Sequence, residues 1–262
     1  MKLLPRRSRS EEERAGSMTL VEHLTELRHR VIVSIWAIAI AMIAAWFLYE
    51  PFLSLVREPF CTFITDNPEF APPTGCDLVF SGPFDAFAVR MKTMLYLGVV
   101  IAMPVLLFQL WAFIVPGLTA REKKWSIPFV VASFLLFLAG AVTAFFVLPK
   151  SLQFLLGFAG EGVVPLLTVD RYVGFVTLVT LAFGVSFLFP VVLVFLEAVG
   201  VIRPDTLAGF RRYAIVVIAT IAAVITPGQD VFSMVAMMIP MYLFYEASII
   251  IGRIITKDRE TA

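Results

Sequence analysis

The chain has 262 residues, of which 60% are hydrophobic and only 16% are charged. Soluble globular domains carry about 25% charged residues, so this composition excludes an ordinary soluble domain and indicates a chain that lies in a bilayer. The net charge of +1 gives no indication of nucleic-acid binding, because the basic residues are divided among four separate segments.

Six apolar stretches predict one all-α, polytopic domain with six transmembrane helices, since most of them reach the ~20 residues that a spanning helix needs. They cover residues 31–47, 94–115, 127–148, 173–196, 214–226 and 231–251. Four segments hold 7, 3, 3 and 3 of the 21 Lys and Arg, namely the residues before 31, 121–124, 203–212 and those after 251. By the positive-inside rule these segments face the cytoplasm, which predicts a multi-pass protein of the cell membrane with both termini cytoplasmic.

The segments outside the spans divide the chain further. Residues 1–17 are polar and charge-segregated, so they are predicted to be a flexible tail. The six-helix domain is predicted to occupy residues 18–253, and a cytoplasmic tail residues 254–262. Arg6 and Arg7 are not interpreted as part of a cleavable signal, because the first apolar run begins more than twenty residues later.

An amphipathic helix is predicted to lead into the first span. Glu22 and Glu26 lie one turn apart on its polar side. An i,i+4 pair between Glu26 and Arg30, worth a few tenths of a kcal/mol, is the ordinary structural interpretation of these charges. Apolar residues recur at helical spacing on the other side, at Leu20, Leu24, Leu27 and Val31.

The loop after the first span contains both cysteines, Cys61 and Cys76. A disulfide between them would close a loop of about 15 residues and contribute on the order of 3 kcal/mol. It is favoured over two free thiols because the outer compartment permits oxidation. Five prolines predict that this loop is an irregular cap with little regular structure. They are Pro51, Pro59, Pro68, Pro72 and Pro73.

Helix lengths and prolines predict the shape of the bundle. The fifth stretch is only ~20 Å long as a helix, against a hydrocarbon core of about 30 Å; a start near Phe210 would add about one turn. Because residues 227–230 are its only link to the sixth span, helices 5 and 6 are predicted to be short. Pro104, Pro190 and Pro240 predict kinked helices and a concave, glove-like bundle.

Catalysis is not indicated. The two histidines, His23 and His29, both precede the first span, so Ser186 and Ser233 have no histidine partner within the bundle. The chain also lacks a His-Glu-x-x-His zinc motif and a glycine loop ending in Gly-Lys-Ser or Gly-Lys-Thr. The sequence therefore predicts that the protein is not an enzyme and uses no metal and no cofactor.

Polar residues inside the spans are functional candidates, because an ionisable group in a bilayer is costly. Glu197 lies near the inner end of the fourth span and can snorkel, whereas Glu246 is expected to pair in the interior. Gln109 is expected to find a polar partner from another helix or another protein. Together they would form the ion site of a secondary transporter, the alternative function, although no internal repeat is evident. A structural membrane scaffold is the third interpretation.

Four separated motifs follow one another along the chain. They are Glu22-His-Leu-Thr-Glu-Leu-Arg28, Phe108-Gln-Leu-Trp-Ala-Phe-Ile-Val-Pro-Gly-Leu-Thr-Ala-Arg-Glu122, Phe183-Gly-Val-Ser-Phe-Leu-Phe-Pro190 and Thr226-Pro-Gly-Gln-Asp-Val-Phe-Ser233. With the six-span layout, they resemble the TatC family, the multispanning receptor subunit of the twin-arginine protein translocase. The resemblance covers residues 18–253.

This resemblance implies a receptor for signal peptides that carry consecutive arginines. It implies export of folded proteins together with TatA- and TatB-type single-span subunits, driven by the proton-motive force, and a homo-oligomer within a larger complex in the lipid bilayer, with no nucleic acid. By position, Glu26 and Glu122 would bind the two signal-peptide guanidiniums. An arginine fork binds a carboxylate bidentately, while lysine offers only a point charge.

Other residues fall at motif positions of the same family, and several have a structural alternative. Arg28 would anchor to lipid phosphates, Phe113 would be packing, and Asp230 would cap the sixth helix. Leu188 stands where the family pattern has an acidic or polar residue assigned to docking a partner helix, so the resemblance does not extend to that contact. The supporting positions are Arg28, Pro59, Gln109, Phe113 and Asp230.

Overall fold

The computed structural model describes residues 20–73, 75–114, 126–159, 166–226 and 230–260. These residues form helices and connecting turns, with one isolated bridge between Val79 and Thr168 and no longer strand. Short 3₁₀ turns cover Pro68–Phe70 and Gly157–Ala159. The helices are α1 Leu20–Asp66, α2 Asp85–Ile114, α3 Ser126–Leu156, α4 Val169–Ser186, α5 Phe189–Ala198, α6 Pro204–Gly209, α7 Arg211–Ile225 and α8 Val231–Glu260.

The all-helical, membrane-spanning fold class is confirmed. Five described segments are long and apolar enough to cross a membrane, and they comprise α1, α2, α3, the joined α4 and α5, and α8. The fifth predicted span is α7, whose 15 residues reach only about 22 Å. It begins at Arg211, which agrees with the alternative start near Phe210.

The prediction of a short sixth helix is wrong. α8 has 30 residues and continues to Glu260, into the residues that the sequence assigns to the C-terminal tail. No proline or glycine interrupts the sequence between Arg253 and Glu260, and Arg253 is tied to Asp205 of α6 by an ion pair of 3.4 Å. Local helix propensity therefore carries α8 past the apolar stretch.

The prediction of an irregular cap after the first span is also wrong over residues 51–66, because α1 runs without interruption through Pro51 and Pro59. Burying one large apolar side chain contributes about 1.5–3 kcal/mol, comparable with the ~3 kcal/mol cost of an interior proline. Tyr172 of α4 also donates a hydrogen bond of 2.9 Å to the Val56 carbonyl. Four buried side chains besides Pro59 lie on this extension, namely Val56, Phe60, Phe63 and Ile64.

The joined α4 and α5 segment forms the centre of the bundle. In the most apolar 18-residue stretch of this segment half of the residues are buried, whereas the corresponding share in the other four spans is 11–28%. Close approach to α3 is possible because Gly140 faces the Phe183 carbonyl and Gly184 faces the Phe137 ring, with no room for a Cβ at either glycine. Small residues at such contacts are typical of membrane helix packing.

The predicted proline effects differ among the helices. At Pro190 the fourth span is divided, since α4 ends at Ser186 and α5 begins at Phe189. Pro190 then occupies the first turn of α5, where its missing N–H leaves no hydrogen bond unmade. Pro104 and Pro240 lie inside the continuous helices α2 and α8.

The start of α1 and the end of α8 lie at the same end of the bundle. The start of α1 contacts the last turns of α2 through a hydrogen bond from Arg30 to Gln109. The end of α2 packs in one apolar cluster with the start of α3 and with Ile255 of α8, through Trp111 and Phe129. We call this the termini end and the other the opposite end.

Candidate functional site

A polar contact joins α1 and α2 at the termini end. Arg30 donates one hydrogen bond of 3.0 Å to Oε1 of Glu26, one turn earlier on α1, and a second of 3.0 Å to Oε1 of Gln109 on α2. The side chains of Arg30 and Glu26 are only 27% and 16% exposed. The prediction that Gln109 finds a polar partner from another helix is therefore confirmed, and the partner is Arg30.

This contact leaves hydrogen-bonding capacity unused. Oε2 of Glu26 and Nε of Arg30 are both buried and have no hydrogen-bond partner. A buried polar atom left without a partner costs about 1–3 kcal/mol. The Glu26 carboxylate therefore has one oxygen that forms no hydrogen bond in the structure.

An aromatic contact lies beside the polar one. The His23 ring stacks on the Phe113 ring at a centroid distance of 4.4 Å and an angle of 24°. His23 lies one turn before Glu26 on α1, and Phe113 lies one turn after Gln109 on α2. The five residues form what we call the α1–α2 surface: His23, Glu26, Arg30, Gln109 and Phe113.

Contacts with α3 and α5 hold the end of α2 in place. Nε1 of Trp111 donates a hydrogen bond of 2.9 Å to the Ser133 hydroxyl of α3. The Trp111 ring also stacks on Phe129, at 5.1 Å between centroids, and meets the edge of Phe195 at 5.0 Å. Trp111 is only 4% exposed, so these contacts fix the last turns of α2 in position. They thereby orient Gln109 and Phe113, which lie two residues before and two residues after Trp111.

The remaining motif residues on α1 and after α2 are placed differently. Glu122 lies outside the described residues. Arg28 is exposed on α1 and forms no ion pair within the described part of the chain. Pro59 is buried 33 residues beyond Glu26 on the same helix, about 50 Å away at ~1.5 Å per residue. Pro59 therefore does not belong to the α1–α2 surface.

Asp230 caps α8, so its predicted structural alternative is confirmed. Oδ1 accepts a hydrogen bond of 2.7 Å from the Ser233 backbone N–H, and Oδ2 accepts one from the Ser233 hydroxyl. The Asp230 side chain is 1% exposed. A carboxylate at this position satisfies a donor of the first turn that has no partner within the helix.

Glu246 is paired, as predicted, but the pair is partly exposed and does not lie in the interior, since the Arg211 and Glu246 side chains are 47% and 29% exposed. Its two carboxylate oxygens each accept a hydrogen bond of 2.8 Å from Arg211, the first residue of α7. The Tyr242 hydroxyl adds a third bond of 3.2 Å. This bidentate pair joins α7 to α8 near the termini end, and it accounts for Glu246 structurally.

Glu197 is buried, so the prediction that it snorkels is wrong. It is 3% exposed, and neither carboxylate oxygen has a hydrogen-bond partner. The carboxylate lies against Gly252 of α8, where a Cβ would leave it no room. Close packing of α5 on α8 prevents the side chain from reaching the membrane surface.

Leu188 lies at the junction of α4 and α5 and is half-buried. It packs on an apolar cluster formed by Met103 and Leu107 of α2 and Phe137 of α3. The leucine therefore contributes packing inside this chain at the position where the family pattern has a polar group.

The two cysteines are free thiols, so the favoured disulfide is not present in the structure. Both are half-buried, and the Cys76 side chain is in hydrogen-bonding contact with that of Cys61. The loop and the last turns of α1 thus bring the two thiols into contact without a covalent bond between them.

Sequence reasoning missed two members of the α1–α2 surface. Arg30 was recognised only as the i,i+4 partner of Glu26, because its bond to Gln109 joins residues 79 positions apart. His23 was considered only in relation to catalysis. Its position one turn before Glu26 was visible in the sequence, but its stacking partner was not.

Comparisons with known proteins agree on one family. Residues 22–240 match the family profile described as Sec-independent protein translocase protein (TatC). The chain is 40% identical over 261 residues to the Sec-independent protein translocase protein TatC of Frankia casuarinae, covering 98% of this chain and 70% of that protein. The corresponding Aquifex aeolicus protein is 40% identical over 246 residues, covering 93% and 98%. A crystal structure of the twin arginine translocase receptor TatC, 40% identical, superposes with a TM-score of 0.71 and covers 90% of this chain and 100% of that one.

Proposed function

Because the chain belongs to the TatC family, we propose that it is the signal-peptide receptor subunit of a Sec-independent protein translocase. It acts as a transport component and not as an enzyme. The observation that carries the binding role is the half-buried Glu26 carboxylate at the termini end, which keeps one oxygen without a partner.

Recognition begins at Glu26. An incoming guanidinium offers two parallel N–H groups, and a bidentate pair needs both carboxylate oxygens. Oε2 is unoccupied, while Oε1 is held by Arg30. When the peptide binds, the hydrogen bond from Arg30 to Oε1 breaks, and the signal arginine donates to Oε1 instead. Arg30 stays in place through its second hydrogen bond, to Gln109.

The second signal arginine binds Glu122, by the motif position that this residue occupies. Two carboxylates on one face select for paired arginines because each lysine loses one of the two parallel hydrogen bonds. A hydrogen bond to a charged group is worth about 1.5–3 kcal/mol. Each replacement of arginine by lysine is therefore expected to weaken binding by roughly 10–150-fold.

The rest of the signal peptide follows the helices away from the α1–α2 surface. Its apolar segment lies along the concave side of the bundle, and TatA- and TatB-type subunits join this chain, itself present in several copies, to form the passage for folded proteins. Both termini face the cytoplasm, because the basic residues cluster at the termini end. The proton-motive force supplies the energy.

The alternative of a secondary transporter finds no support in the geometry. Its three candidate polar groups have separate surroundings: Gln109 bonds to Arg30, Glu246 bonds to Arg211, and Glu197 lies against Gly252. An ion site needs converging ligands, and these residues do not converge.

A binding titration tests the proposal. The protein is placed in lipid nanodiscs, and the Kd of a fluorescent signal peptide with Arg-Arg is compared with that of the Lys-Lys peptide. We expect a preference of roughly 100-fold or more for Arg-Arg, because two arginines are replaced. It should fall at least tenfold in Glu26→Gln, which leaves Glu122 in place, and stay unchanged in Glu58→Gln, which removes an exposed acid from the same helix. Equal preference in all three proteins would contradict the assignment of Glu26.

A further inference from the structure

A cavity of about 210 Å³ opens between α2 and α4 at the opposite end of the bundle. It lies about 25 Å along α2 from Gln109, at ~1.5 Å per residue, and plays no part in the α1–α2 surface. One water occupies ~30 Å³ of liquid volume, so the cavity has room for a group much larger than a single water. Its polar lining comes from Lys92, Thr93, Tyr96, Asp170 and Arg171.

The charges of the lining leave one cation available. Nζ of Lys92 on α2 pairs with Oδ1 of Asp170 on α4 at 2.7 Å, across the cavity. Arg171 is exposed and has neither an ion pair nor a hydrogen bond among the residues that the structure describes. Two cations and one carboxylate therefore give the lining a net positive charge, and the Arg171 guanidinium is the unused donor.

Two further features indicate that the cavity can hold a ligand. Thr93 is one of the lining residues, and its buried hydroxyl has no hydrogen-bond partner, which costs about 1–3 kcal/mol unless a bound group satisfies it. Gly174 forms part of the wall, and a Cβ built there would have no atom within 4 Å. The absent side chain keeps the cavity open.

We propose that this cavity binds the phosphate of a phospholipid headgroup from the leaflet at the opposite end. The Arg171 guanidinium and the Lys92 ammonium donate to phosphate oxygens, and the Thr93 hydroxyl donates to an adjoining ester oxygen. Basic pockets between membrane helices are recognised sites for lipid headgroups. A lipid is favoured over free phosphate because the long apolar run of α2 begins at Met94, directly after the polar lining residues, so the cavity lies at headgroup depth.

The carboxylate of Asp170 indicates which class of phospholipid headgroup the cavity binds. A purely anionic headgroup would meet repulsion from this acid, while a primary amine would donate a hydrogen bond to it. A headgroup with both phosphate and a primary amine, as in phosphatidylethanolamine, matches both signs of charge. A choline headgroup matches the charges but has no N–H to donate, so it is expected to bind less well.

Native mass spectrometry of the purified full chain tests this site, using phosphatidylethanolamine, phosphatidylcholine, phosphatidylglycerol and inorganic phosphate as separate probes. We expect retention of phosphatidylethanolamine to exceed that of the other lipids by at least fivefold. It should fall at least tenfold in Arg171→Gln, which removes the free cation, and in Gly174→Leu, which adds a side chain to the cavity wall at a position where a Cβ has no atom within 4 Å. Arg57→Gln, which removes a cation paired with Asp77 on the same side of the molecule, is the matched control and should retain the lipid.

Thermal unfolding of each variant by circular dichroism shows whether the bundle is intact, and Arg171→Lys provides a second folded variant in which part of the retention should return. Equal retention of phosphatidylethanolamine by wild type, Arg171→Gln and Gly174→Leu would overturn the site. Inorganic phosphate that binds alone and displaces the lipid would overturn the lipid as its source. Phosphatidylglycerol bound as well as phosphatidylethanolamine would overturn the role of Asp170.

Discussion

Replacing Arg30 by glutamine is expected to strengthen binding of the Arg-Arg signal peptide. In the free protein Arg30 holds Oε1 of Glu26 at 3.0 Å, and both side chains are less than one-third exposed. A hydrogen bond to a charged group contributes about 1.5–3 kcal/mol, and partial exposure favours the lower figure. In Arg30→Gln the signal arginine no longer has to displace this guanidinium from Oε1. Its binding free energy should therefore be more favourable by about 1.5 kcal/mol, which corresponds to a Kd roughly tenfold lower.

The assay is the nanodisc titration with the Arg-Arg peptide, performed on wild type, Arg30→Gln and Arg253→Gln. The control removes another cation at the termini end whose ion pair with Asp205 is exposed and 3.4 Å long, so its effect should be within about 1 kcal/mol. Weaker binding by Arg30→Gln than by wild type would refute the reasoning. It would mean that Arg30 holds Glu26 in position for the ligand instead of competing with the ligand.

Three further substitutions test individual contacts, each by thermal unfolding of the purified protein in detergent. Glu197→Met replaces a buried carboxylate that has no partner and should raise stability by about 1–3 kcal/mol; a lower Tm would show that the carboxylate has a stabilising role. Tyr172→Phe removes the buried bond to the Val56 carbonyl and should cost about 1–2 kcal/mol; an unchanged Tm would mean that this bond does not hold the α1 extension. Asp230→Ala removes the α8 cap and should cost about 0.5–2 kcal/mol, with most of it recovered in Asp230→Ser; equal loss in both variants would count against capping.

Features set by local pattern could be predicted from the sequence. The short α7 follows from the length of one apolar stretch, and the Asp230 cap follows from an acid directly before a helix start. That Glu246 has a partner follows from the cost of an isolated charge within a span, although the sequence does not show that the partner is Arg211, 35 positions away. In each case the outcome depends on a few neighbouring residues or on the cost of one unpaired charge.

Features set by tertiary contact could not be predicted in this way. Proline at 51 and 59 argues locally for an irregular segment, and only the packing of Phe60 and Phe63 against the other helices overrides that tendency. The burial of Glu197 depends on Gly252, which permits α8 to approach closely. The bond between Arg30 and Gln109 joins two helices whose pairing the sequence does not specify.

The proposal is that Glu26 and Glu122 together recognise the paired arginines of a signal peptide. Its most direct test is site-specific photocrosslinking in membranes, with probes beside Glu26 and Glu122 and peptides that carry Arg-Arg or Lys-Lys. We expect crosslinks that require both arginines and disappear in the double variant Glu26→Gln, Glu122→Gln. Equal labelling by the Lys-Lys peptide, or labelling unaffected by the double variant, would contradict the account and leave both acids as ordinary surface charges.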